Sequence, residues 1–89
     1  MLKISRYEEP GMGGTLNVEG KFIGPWVQQV REACDELLSE RGRVALDLLS
    51  VDFIDPDGVE LLASLRRDPR VEITSVSPFV AEAMKGART

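Results

Sequence analysis

Residues 43–49, RVALDLL, are apolar at both sets of alternating positions except Asp47. That is the pattern of a central strand covered on both faces, and such a strand needs neighbouring strands and helices packed over the sheet. Phe53 and Ile54 continue the run and are expected to point inward. After Asp55-Pro56-Asp57-Gly58 the apolar period changes from two to three and four. Val59, Leu62, Ala63 and Leu65 then form the inner stripe of a helix from about Asp57 to Arg67, stopped by Asp68-Pro69.

The rest of the chain repeats this alternation of strand and helix. Leu2 and Ile4, then Leu16 and Val18, alternate with polar neighbours as strands do, and Pro10-Gly11-Met12-Gly13-Gly14 between them reads as a turn. Gly24-Pro25 opens a long helix whose inner face is Val27, Val30, Cys34, Leu37 and Leu38, ending at Arg41-Gly42. Trp26 is expected to close one end of the core. Residues 70–76, RVEITSV, form a further strand, and Ser77-Pro78 supplies a cap and a first-position proline for a short third helix, which Phe79 docks. The order predicts an α/β fold with about four strands in a mostly parallel sheet and three main helices. Asp55 to Gly58 fall at the carboxyl end of a central strand, where functional groups collect in open α/β sheets.

Length and composition narrow the function. An 89-residue chain makes one domain, 1–89, and a domain of this size buries roughly 60% of its unfolded surface, which leaves little room for a deep active site. A net charge of −4 without a dense Lys/Arg stretch argues against nucleic acid or an anionic membrane as partner. No signal-peptide block and no long apolar run is present, so direct membrane insertion is not expected. The lone Cys34 fits a reducing, cytoplasmic setting and a packed thiol. The absence of histidine removes the commonest general base and metal ligand.

The acidic corner admits several chemistries. Asp55-Pro56-Asp57-Gly58-Val59 is similar to the Asp-x-Asp-Gly-Thr/Val motif of haloacid dehalogenase-type phosphatases, in which Asp55 would attack phosphorus and Asp57 act as acid or base with magnesium. Only 31 residues follow Gly58, with Lys85 the sole lysine and no later acidic pair, so that motif lacks its context. A calcium loop would put Phe53 and Ser64 at ligand positions, and a phosphate-binding loop in TLNVEGKF lacks its first glycine, so no metal or cofactor is expected. The structural alternative is a cap: Asp55 before Pro56 suits one, and Asp57 with Glu60 has the spacing of a capping box.

Taken together, TLNVEGKF, the long helix, VALDLLSVDFIDPDGVELLASL and SVSPFVAEAM resemble a STAS domain, the fold of bacterial anti-sigma-factor antagonists, over almost the whole chain. In that family the strand-to-helix junction reads Asp-Ser-Ser/Thr-Gly, and the hydroxyl residue before the glycine is phosphorylated by a partner kinase. Asp55 and Gly58 match; Asp57 occupies the acceptor position, and Ile23 stands where an acidic residue is common. The resemblance implies a non-enzymatic protein-binding module that contacts its partner through Asp55, Pro56, Asp57, Gly58 and Glu60. The partner would be an anti-sigma factor or histidine-kinase-like ATPase. An alternative role for the same fold is a cytoplasmic accessory subunit of a membrane transport complex.

Overall fold

A computed structural model describes residues 2–8 and 13–86. In chain order the elements are β1 (Leu2–Glu8), β2 (Gly14–Phe22), α1 (Pro25–Arg41), β3 (Val44–Ile54), α2 (Pro56–Arg66), β4 (Val71–Val76) and α3 (Pro78–Gly86). They form one four-stranded sheet in the order β1-β2-β3-β4. β1 and β2 are antiparallel, whereas β2–β3 and β3–β4 are parallel, joined by α1 and α2 as crossovers. The α/β expectation of four strands and three helices holds. Of the predicted first turn, Pro10 to Met12 lie outside the described residues.

The core lies on one face of the sheet. Register aligns Ile4 with Val18, Leu16 with Leu46 and Leu46 with Ile73. Onto this face α1 lays Val27, Val30, Cys34, Leu37 and Leu38, the stripe read from its spacing. α1 ends as its sequence demands, with Gly42 in the left-handed region at φ 80° and its N–H donating to the Leu38 carbonyl. Trp26 is partly buried against the core, and burial raises the Cys34 thiol to about 12, with Asp35 adding to the rise and Arg31 opposing it. The edge strand is tied to α1 by charge: Arg6 pairs with Glu8, Glu36 and Glu40, and Arg41 with Glu8.

Three expectations change. α1 packs against α2 and α2 against α3, so the helices share one layer, and β3 is covered on one face instead of two. On the other face Ala45 and Asp47 are only half-buried. α2 starts at Pro56, and its buried stripe is Gly58, Leu61, Leu62 and Leu65, at steps of three and four, with Val59 and Ala63 half-buried at its margins.

The largest departure is in the second half of β3. Its pairing with β2 shifts register between Asn17 and Glu19 and again between Gly20 and Lys21, so β3 carries an extra residue at each irregularity. Each one reverses the inward and outward sense of the residues beyond it. Burial therefore runs with a period of three, at Leu48, Val51 and Ile54, and Phe53 is turned outward. Leu49 is also outside, 60% exposed.

The two adjacent leucines thus differ in kind. Leu48→Ala should lower unfolding free energy by about 2–5 kcal/mol by opening a cavity, whereas Leu49→Ala should stay within about 0.5 kcal/mol. Urea titrations of the two variants check this; similar losses would mean an unbroken alternation.

Candidate functional site

The carboxyl ends of β2 and β3 meet at the starts of α1 and α2, and Asp55 joins them. Its backbone is extended, with φ −99° and ψ 175°, as suits a cap before the first-position Pro56. One carboxylate oxygen, Oδ1, accepts the Gly58 N–H at 2.9 Å, which caps α2. The other, Oδ2, accepts the N–H of Gly24, the residue preceding α1, also at 2.9 Å. The Asp55 N–H donates to the Phe22 carbonyl at 3.3 Å, at the end of β2, and its carbonyl accepts the Val59 N–H at 3.0 Å. A single residue therefore fastens two helix starts and a strand end.

Gly58 belongs to this junction for a steric reason. It is buried, and a Cβ there would stand 2.8 Å from Ile54 Cγ1 and 2.9 Å from the Phe22 carbonyl oxygen. The backbone oxygen is held in place by its bond to Asp55, so any side chain would separate α2 from the strands. The capping box expected of Asp57 and Glu60 does not form: Asp55 is the cap, and Asp57 is the second residue of the helix. Pro56, Asp57 and Glu60 are all exposed. Asp57 retains a favourable position next to the positive end of the helix dipole, but its carboxylate faces solvent.

Beside this acidic turn is an apolar surface that the periodicity did not indicate. Phe53 and Phe79 are 42% and 47% exposed, and their rings lie with centroids 5.5 Å apart and planes tilted by 48°. The Lys21 ammonium is 6.0 Å from the Phe53 centroid. Phe79 thus meets another exposed ring; it is Val80, fully buried, that anchors α3 in the core. Ser77 is the cap expected for α3, its Oγ accepting the Val80 N–H at 3.2 Å. The only cue to the aromatic pair in the sequence is that each ring stands at the carboxyl end of a strand, Phe53 in β3 and Phe79 just after β4.

Comparison with known proteins places this geometry in a family. The family model described as "Mlab, STAS domain" matches residues 5–88. The chain belongs to the STAS domain family. A crystal structure of an anti-sigma factor antagonist from Mycobacterium paratuberculosis superposes with a TM-score of 0.79 over 98% of this chain and 78% of that chain, at 13% identity. At that identity the likeness concerns the fold. No curated protein matches the sequence significantly.

The Asp55 junction carries a pH dependence. Desolvation works against ionisation of this carboxyl, but bonds from the backbone of Gly24 and Gly58, with further help from Asp57 and its own N–H, outweigh it and hold the group below its ordinary range. A lowered folded-state value means that the stabilisation is present above the unfolded value, about 3.9, and is lost as pH falls through the folded value. Asp55→Asn keeps one capping oxygen but has no charge to titrate. The stability gap between wild type and this variant should therefore narrow between about pH 5 and pH 2, as measured by paired denaturation curves; a constant gap would detach Asp55 from the acid response.

Proposed function

We propose that the chain is a non-enzymatic, cytoplasmic protein-binding regulatory module that works in the manner of an anti-sigma-factor antagonist. The partner class is an anti-sigma factor or histidine-kinase-like ATPase. It docks on the exposed first turn of α2 (Pro56, Asp57 and Glu60), held in place by Asp55 and Gly58, together with the adjoining Phe53–Phe79 pair. One observation carries this reading: at the position where the family resemblance puts a phosphorylatable hydroxyl, the chain exposes the carboxylate of Asp57 at the start of a rigidly fastened helix.

That substitution alters regulation. A phosphoserine brings about 1.5 to 2 negative charges to a contact surface and disrupts a partner that fits the neutral hydroxyl. Asp57 has no hydroxyl to modify and carries a permanent single charge, so it resembles a fixed, imperfect copy of the phosphorylated state. Partner choice at this turn is then governed by a constant charge, because like charges across an interface are costly and complementary ones are steered together. The phosphatase alternative is disfavoured by the geometry of Asp55. Both of its oxygens already accept backbone N–H groups, and an attack on phosphorus would break the link between α1 and α2.

The test begins with a pull-down and ends with calorimetry on the identified partner. Recovery of an anti-sigma factor or histidine-kinase-like ATPase supports the reading; recovery of a transporter subunit instead would assign the domain to a membrane transport complex. Asp57→Ser removes the charge and supplies the missing hydroxyl on a residue that does not cap the helix. Its thermal stability should change by less than about 1 kcal/mol, while affinity changes at least several-fold, roughly 1 kcal/mol or more. Unchanged affinity would locate the interface elsewhere.

A further inference from the structure

A second apolar surface lies away from the Asp55 junction, along the edge of the sheet. The core-facing side chains of β4, namely Val71, Ile73 and Val76, are only half-buried, because the later turns of α2 and α3 leave them partly open. Ala63 of α2 and Met84 of α3 form the walls of this groove. All five contribute apolar surface, and Val71, Ile73, Val76 and Met84 also pack inward against the core, so the groove is continuous with it.

The rim has the opposite charge to the molecule. Arg66 and Arg67 at the end of α2 and Lys85 at the end of α3 border the groove, against the single carboxylate of Glu72 within its lining. Among the described residues neither arginine enters an ion pair, and Lys85 has only Glu82 at 3.9 Å, with both side chains more than three-quarters exposed. On a chain of net charge −4 this is a local concentration of available cations beside an apolar floor.

We propose that this groove docks an acidic amphipathic helix of a protein partner. Three features decide among occupants. The floor is concave and built of side chains between two helices, the form that accepts the apolar face of a helix. The six residues of β4 extend roughly 20 Å, which about 13 helical residues would cover. The cations sit at the borders, where Glu or Asp flanking an apolar stripe would meet them. An anionic bilayer is a poorer fit, since three cations oppose the repulsion of an acidic molecule and a flat surface does not enter a trench. The groove is distinct from the α2 start, so this proposal stands or falls independently of the function proposed for Asp57.

A defined probe tests it: a synthetic 14-residue amphipathic peptide with leucines on one face and glutamates elsewhere, beside the same peptide with lysines for glutamates. Methyl spectra of the labelled full chain should show the Glu peptide shifting Val71, Ile73, Val76 and Met84. The double variant Arg66→Glu/Arg67→Glu, checked for an unchanged fold by its amide spectrum, should weaken that binding about tenfold or more. The proposal is overturned if the groove methyls do not move, if the Lys peptide binds the groove equally well, or if amide spectra show the Glu peptide shifting Phe53 and Phe79 instead. It is also overturned, in favour of a lipid surface, if phosphatidylglycerol vesicles bind through Arg66 and Arg67 while the Glu peptide does not.

Discussion

The carboxylate of Asp55 is shared between two helix starts. Every crossover in an α/β sheet must leave a strand and enter a helix with its first N–H groups unpaired, and here one side chain serves two such sites, at Gly24 and Gly58. The consequence is geometric. Because Gly24 follows β2 and Gly58 follows β3, satisfying both fixes α1 and α2 relative to each other and to the strand ends. The absence of a side chain at Gly58 lets the Phe22 carbonyl approach, which permits the Asp55 N–H to reach it. The cap, the glycine and the strand end are mutually required.

The same constraint divides the two aspartates by function. Asp55 is committed to the backbone; Asp57, two residues later, is turned outward. Local sequence could not separate them, since both occupy positions where an aspartate caps helices well, and a glutamate follows Asp57 at capping-box spacing. What decides the matter is the N–H of Gly24, 31 residues away in the chain. Local chemistry reads the two alike, and only the folded arrangement separates the aspartate that caps from the one that faces solvent.

Legibility elsewhere follows the regularity of the backbone. The stripe of α1 is readable to the residue, since a 17-residue helix between Pro25 and Gly42 has one period and clear ends. β3 is readable only as far as Leu48. Beyond it two register irregularities convert alternation into a period of three, and nothing in LSVDFI marks where a bulge falls. The exposed Phe53, and with it the aromatic pair, is hidden for that reason. The single-faced helix layer is hidden too, because Ala45 and Leu49 make β3 look apolar on both sides while one is small and the other lies beyond the first irregularity.

Among the described residues there is one core and one helix layer, and the side chains around the α2 start are displayed on the surface. The fold makes that display precise by anchoring it from beneath. Asp57 rides on a helix start whose direction is set by Asp55 and Gly58, and Phe79 rides on α3, whose capping Ser77 donates its N–H to the Leu48 carbonyl of β3 and whose Val80 is fully buried. In both cases the residue presented to solvent is next to the one that bears the structural role. Exchange of the presented residue then leaves the anchor intact, so the charge at the α2 start can vary in this fold with little consequence for stability.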